Sequence, residues 1–342
     1  MTNNIYVRLL IAKTKTLYST GAIAPGTHAI AECSTNLATL VEKNGGTLPR
    51  KVIIGCRGND VEDLAIRFAP FVEAETSILL ICSGRFAGLI FLKTLLRLGV
   101  KQNRLPAVAD FHVSPFVSRG NSNDQVNIIA LKNEVNIAAQ TPRMTEQILQ
   151  DFQGTFRNIS VVKSSLELNL QKCDEIVHIP LILTGWINLE AKEGHNIYRT
   201  ATHNTAEMVV RLDLERLAVG KALGFELWDI CTDYQKIYGT SGSSLLEHFR
   251  QVPAYDTATI QNSQHRFLFE DVPFSAEPLQ SLARLAQVKT PLLDACITFS
   301  RSLVDLSPAW TFSAEDLDIL RETSEVLKTT ANAEKIAEKS EV

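Results

Sequence analysis

The sequence predicts a parallel α/β layer followed by an all-helical second half. Three observations carry this. Short apolar runs alternate with amphipathic segments of helix length up to residue 165, a glycine turn links one such strand to the next helix, and strand signals vanish from Leu166 onward. The 342 residues suit about two domains. The expected divisions are an α/β domain over 1–165, a helical domain over 166–322 and a charged, disordered tail over 323–342.

In chain order, Tyr6 to Ala12 is a short apolar run suited to a buried strand, and a second short strand is expected near Ala29 to Cys33. Asn36 to Lys43 is helical and stops at Gly45-Gly46. Lys51 to Cys56 (KVIIGC) is a β-branched strand. Asn59 and Glu62 make a capping-box pattern ahead of a helix whose face is Val61, Leu64, Ala65, Phe68 and Val72. Ser77 to Cys82 (SILLIC) is the next strand, then come the turn Ser83-Gly84-Arg85-Phe86-Ala87-Gly88 and a helix through Leu98. Strand, helix, strand and helix at this spacing imply parallel pairing with right-handed crossovers. Ala107 to Phe111 is a further strand. Val126 to Leu131 and Val135 to Ala139 look like a hairpin around Lys132-Asn133-Glu134. Thr141 caps a helix with Pro142 at its first position, running to Phe152, and Ile159 to Val162 closes the α/β half.

Helices are then expected at 166–192, 205–223 (capped by Asn204 and Glu207, ended by Gly224), 226–237, 243–251, 278–287 and 291–304, with a short one from Ser313.

The composition, 45% hydrophobic and 21% charged with net charge −4, is that of an ordinary globular protein without a basic footprint for nucleic acid. Six cysteines lie far apart with no C-x-x-C pair, so neither a zinc cluster nor a redox motif is expected, and the plain reading is scattered thiols in a reducing compartment. No apolar run reaches the roughly 18 residues a membrane span needs. The start Met1-Thr2-Asn3-Asn4 does not read as a signal peptide. A soluble, cytoplasmic protein is expected.

Two stretches can carry chemistry. In Glu175-Ile176-Val177-His178-Ile179-Pro180 the histidine sits among apolar residues, and the bland reading is a core imidazole satisfied by Asp174 one turn earlier. In His265-Arg266-Phe267-Leu268-Phe269-Glu270-Asp271-Val272-Pro273 an arginine and an aspartate share one short connection, either as an anion fork with a carboxylate or as a salt bridge between neighbours.

Together with Lys289-Thr290-Pro291-Leu292-Leu293-Asp294-Ala295, this stretch resembles the signature of the octopine/nopaline (opine) dehydrogenase family, and the resemblance spans residues 51 to 320. It implies a Rossmann-like dinucleotide-binding domain, N-terminally incomplete, followed by a helical dehydrogenase domain. It also implies an oxidoreductase that uses NADP or NAD to condense an amino acid with an α-keto acid. On the matching positions it makes His178 the catalytic acid/base, Asp271 the residue that orients it, and Arg266 the fork for the keto-acid carboxylate. A histidine suits the task because its ordinary pKa lets it give and take a proton near neutrality. Gly55, Ser83 and Gly84 stand on the cofactor side, the latter two in a turn like the family's glycine-rich turn.

The departures are visible. Where the family has Asn-Pro-Asn before the histidine, this chain has Lys172-Cys173-Asp174. The family's proline after the histidine is Ile179, its tyrosine after Val-Pro is Phe274, and a usual Gly-Leu is Ser275-Ala276. No G-x-G-x-x-G occurs in the sequence, although a dinucleotide site wants one directly after its first strand. Residues 6 to 12 therefore read as the family's second strand, and weak NAD(P)H binding is expected of the chain as given. Lys13 and Lys15 after that strand would favour a 2′-phosphate. The rival readings are a cofactor-deficient relative acting as a binding or interaction protein, and a keto-acid reductase of the same architecture. Oligomeric state, amino acid and keto acid are not legible.

Overall fold

The computed structural model describes residues 16–22, 25–29, 34, 36–82, 84–122, 125–156, 159–162, 164–191 and 194–317. The expected strand at 6–12, the lysines Lys13 and Lys15 and the tail at 323–342 lie outside them, as does most of the strand expected at Ala29 to Cys33.

Two sheets occupy the first half. β3 (Lys51–Cys56), β4 (Ser77–Cys82), β5 (Ala107–Phe111), β8 (Val135–Ala139) and β9 (Ile159–Val161) form a five-stranded sheet in that order. β3, β4 and β5 pair in parallel through α2 (Val61–Phe68) and α3 (Ala87–Arg97), as their spacing predicts. β5 and β8 run antiparallel, α1 (Leu37–Lys43) precedes β3, and α4 (Pro142–Phe152) joins β8 to β9. The second sheet orders β2 (Gly26–Ala29), β1 (Thr16–Gly21), β7 (Gln125–Leu131) and β6 (Phe116–Ser122).

The hairpin expected between β7 and β8 does not form. β7 pairs with β6 and β1, while β8 joins β5 and β9 in the other sheet. Burial explains the split: every residue of β8 is buried, as befits a strand covered on both faces, whereas β7 is only partly so. The intervening residues cross between sheets, with Asn133 N donating to Ile237 O in the helical half. β6 was not foreseen because its Ser-Arg-Gly-Asn-Ser stretch is poor in strand formers.

The helical half departs from expectation at several places, among them a two-stranded antiparallel sheet of β10 (His195–Asn196) and β11 (Thr259–Ile260) where only helices were expected. The segment 166–192 is not one helix but three, α5 (Ser165–Gln171), α6 (Asp174–Thr184) and α7 (Trp186–Glu190). The first break follows from Arg85, whose guanidinium takes the carbonyls of Asn169 and Lys172, while Lys172 turns extended at φ −56°, ψ 137°. The second falls at Gly185, where a Cβ would come 2.9 Å from the His195 ring. α8 (His203–Ala222) is capped by Thr202, whose hydroxyl accepts from Thr205 N, rather than by Asn204, because Thr202 is the residue that keeps an extended backbone. Likewise Asn59 lies within a tight turn, Gly58–Asp60, that leads into α2, so it does not cap that helix.

α9 (Ile230–Tyr238) starts after the cap Asp229, and α10 spans Leu245–Gln251. The last elements are α11 (Arg266–Phe269), a π turn at Val272–Ala276, α12 (Glu277–Leu285) and α13 (Pro291–Leu303). α6 sits at the centre of this half: Ile176, Val177, Ile179, Leu181 and Ile182 are all buried against α8, α11 and α13. Each such side chain contributes about 1.5–3 kcal/mol of burial, which fixes α6 as the frame on which His178 is mounted.

Candidate active site

A latch of buried charges joins the end of β4 to the break between α5 and α6. Arg85, fully buried, pairs with Glu175 and with the carbonyls of Asn169 and Lys172. Reciprocally, Lys172 Nζ donates to Cys82 O (3.1 Å) and Gly84 O (2.7 Å). Phe86 takes a left-handed backbone (φ 59°) at the start of α3, a conformation uncommon outside glycine. Its amide donates to Asn169 Oδ1 at 2.7 Å. Arg85 N donates to Phe274 O (2.8 Å) and Gly88 N to Asp110 Oδ1 (2.8 Å). A helix start of this kind ordinarily offers such amides to an anion. Here Arg85 N, Phe86 N and Gly88 N are bound to the protein's own acceptors.

This latch places His178. Its Nδ1 lies 2.6 Å from Asp271 Oδ2, although the two residues are 93 positions apart. Asp271 ends the short connection after α11, directly before the π turn, a backbone irregularity that often marks functional positions. Phe267 stacks on the imidazole at 3.6 Å between centroids, and Tyr198 meets it edge-on at 6.3 Å. Among the described residues Nε2 of His178 makes no hydrogen bond, and Asp271 Oδ1 has no partner. Burial lowers the His178 pKa to about 4, with Asp174 opposing and Arg266 adding to the fall. Burial likewise pushes the Asp271 carboxyl well up, against the pull of Arg266. Burial therefore favours the neutral imidazole, and with Asp271 ionised the imidazole's proton lies on Nδ1 facing it, which leaves the Nε2 lone pair for the pocket.

That pocket, about 350 Å³, runs from His178, Phe267 and Arg266 to the carboxyl ends of β3 and β4 at Cys56, Ile81 and Cys82. Arg119 and Lys132 line it as well, from β6 and from the loop after β7. Its α9 side bears Asp233, Tyr234 and Tyr238, close to Tyr198, Tyr255 and Asp174. Asp233 is 4% exposed, and its Oδ1 has no hydrogen-bond partner among the described residues. Burial pushes its carboxyl up to about 7 against the pull of Arg216 and Lys132. Sequence reading missed Asp233; its only signal was an aspartate inside an otherwise apolar helical face. Arg266 is half exposed and held loosely, 3.4 Å from Glu270 Oε2, so its planar fork is available to a carboxylate.

The structure thus brings His178 and Arg266 to one pocket, with Asp271 buried behind the imidazole it contacts. It does not bring Gly55 and Gly84 there. Gly55 is exposed on β3 beside a separate apolar groove of about 240 Å³. Gly84 is closed in, since a Cβ on it would lie 3.2 Å from Gly58 Cα and 3.3 Å from Phe274 O. Ser83 lies outside the described residues. A dinucleotide fits in part. The carboxyl ends of a parallel sheet are where such ligands bind, and Cys56, Ile81 and Cys82 provide that rim beside His178. At the start of α3 the amides of Arg85, Phe86 and Gly88 are taken by the protein and do not face a pyrophosphate, and no cluster suited to a metal ion is present among the described residues. No helix among them is long and apolar enough to cross a membrane.

Residues 161–304 match the family described as NAD/NADP octopine/nopaline dehydrogenase, alpha-helical domain. An opine dehydrogenase from Arthrobacter sp. (strain 1C) is 26% identical over 247 residues, 71% of this chain and 67% of that protein. A vitopine synthase from Allorhizobium ampelinum (strain ATCC BAA-846 / DSM 112012 / S4) is 27% identical over 195 residues, 56% of this chain and 54% of its own length, so little more than half of it is spanned. The fold is similar to octopine dehydrogenase in complex with NADH and agmatine (TM-score 0.67, 16% identity, covering 92% of this chain and 85% of that one). It is also similar to a 2-dehydropantoate 2-reductase from Geobacter metallireducens (TM-score 0.58, 12% identity, 84% and 86%).

Proposed function

We propose that the chain is an NAD(P)-dependent dehydrogenase of the opine dehydrogenase type, which condenses an amino acid with an α-keto acid and reduces the resulting imine, a reading supported by the match of residues 161–304 to that family's helical domain. The observation that carries this is the His178–Asp271 contact at 2.6 Å in a pocket open to the sheet's carboxyl ends. Neutral His178 takes a proton at Nε2 from the ammonium of the amino acid, and the freed amine attacks the keto carbon. The adduct's oxygen takes one proton from the attacking nitrogen, the same imidazole returns the other to the resulting carbinol, and the oxygen leaves as water to give the protonated imine. Asp271 holds the Nδ1–H and stabilises the imidazolium formed between the two transfers. Arg266 holds the keto-acid carboxylate beside the reacting carbon. When bound, the reduced dinucleotide supplies the hydride that the imine carbon accepts.

The amine side of the pocket supports a cationic side chain. Asp233, with an unpartnered oxygen, and Asp174 supply negative charge, and Tyr198, Tyr234 and Tyr238 present aromatic surface to a guanidinium or ammonium group. The octopine dehydrogenase solved with L-arginine offers a parallel, since arginine is such a molecule.

The test is consumption of NADH or NADPH by the purified full chain with an α-keto acid, in the presence and absence of an amino acid, with the product mass measured. Consumption that requires the amine and yields the N-substituted amino acid supports the reading. Consumption with the keto acid alone would make the protein a keto-acid reductase, and dinucleotide binding without turnover would leave it a binding protein.

A further inference from the structure

Cys56 and Cys82 are the last residues of β3 and β4, and they are register partners across that parallel pair. Neighbouring strands lie about 4.8 Å apart, which is inside the roughly 4.4–6.8 Å between Cα atoms that a disulfide spans. Partners in register also send their side chains to the same face of the sheet. Both residues line the cleft that contains His178, Cys56 half buried and Cys82 buried, and both are free thiols. The neighbouring Cys56 thiol, together with burial, pushes the Cys82 thiol's pKa well up, in keeping with two sulfurs side by side.

We propose that Cys56 and Cys82 form an oxidisable dithiol that closes to a cross-strand disulfide on the wall of the cleft, with hydrogen peroxide as the oxidant. Cys56, the more accessible, attacks the peroxide through its thiolate, so that one oxygen leaves as water and Cys56 becomes a sulfenic acid. Cys82 Sγ then attacks the Cys56 sulfur, and the departing hydroxide takes the Cys82 thiol proton as a second water. Two thiols lose two electrons in all, and one peroxide gains them. Reduction by a small dithiol reverses the step. Because the new bond lies beside His178, oxidation is expected to switch off turnover reversibly; that consequence rests on the proposed reading of the cleft, while the disulfide itself does not.

The experiment is treatment of the full chain with hydrogen peroxide, alkylation of the remaining thiols, and tryptic digestion without reductant. Mass spectrometry should find Val52–Arg57 linked to Phe68–Arg85, with the link lost on dithiothreitol treatment and absent from Cys56→Ser and Cys82→Ser. A digest in which Cys56 is fully consumed as a single-thiol product while Cys82 stays alkylated overturns the proposal, as does a Cys56 linked to any other cysteine. The wild-type digest decides the matter even if a serine variant fails to fold. Peptide linkage without loss of turnover would count against the reading of the cleft and not against the dithiol.

Discussion

Two buried polar clusters meet at the break between α5 and α6, and they treat their hydrogen bonds in opposite ways. On one side, Arg85, Lys172 and Asn169 direct their side-chain donors to Glu175, Asp110 and backbone carbonyls, and of these five residues only Glu175 has a buried side-chain atom, Oε2, without a partner among the described residues. On the other, among the described residues His178 Nε2 makes no hydrogen bond, and Asp271 and Asp233 each keep an unpartnered carboxylate oxygen. Leaving a buried polar atom unpaired costs about 1–3 kcal/mol, so a cluster that leaves several is held open by the saturated one beside it. The latch supplies stability and position; the pocket supplies chemistry.

Substitutions on the two sides should separate accordingly. His178→Ala is expected to lower turnover by roughly 10² to 10⁴, the loss of a general acid/base, with the circular dichroism spectrum retained; His178→Gln, which can still meet Asp271, should be as inactive. Wild-type turnover in either variant would remove the imidazole from the chemistry. Arg85→Met should act on folding, at about 3–5 kcal/mol, because it strands the Glu175 carboxylate in a fully buried setting. A thermal midpoint unchanged by Arg85→Met would show that the latch does not bear the load.

The strand–helix alternation from Lys51 to Phe111 was legible because each element's own pattern declares it, and those bounds match closely. The separation of β7 and β8 into two sheets was not, since the residues between them cross from one sheet to the other, with Asn133 N donating to Ile237 O far along the chain. The breaks in 166–192 were hidden for the same reason: Arg85, remote in sequence, claims the carbonyls that a continuous helix would use. In the site, His178, Asp271 and Arg266 were nominated through the family resemblance of two separate stretches, since the bare pattern around His178 reads as a core imidazole. Asp233 and the Cys56–Cys82 pair were invisible, because what distinguishes them is burial without a partner and a strand register.

A smaller effect is expected at Asp233→Asn. The apparent KM for a cationic amino acid should rise about 10- to 100-fold, the worth of a charged hydrogen bond of ~1.5–3 kcal/mol, while the thermal midpoint holds or rises, since a buried unpartnered carboxylate is removed. A fall in stability without a change in KM would assign Asp233 to the core. Arg266→Lys should have the least effect, raising the apparent KM for the keto acid by about tenfold, one such bond, and that for the cofactor less. Equal changes in both would make the arginine structural.

The most direct measurement is an NMR titration of the imidazole nitrogens in the full chain, with His178 assigned by the signals lost in His178→Gln. Its folded pKa is depressed to about 4 by burial, so the neutral form should persist as pH falls well below the ordinary histidine value of about 6.5. The proton should sit on Nδ1 against Asp271, with Nε2 bare. A His178 that titrates near the ordinary value, or that is neutral with its proton on Nε2, would contradict a general base poised toward the pocket.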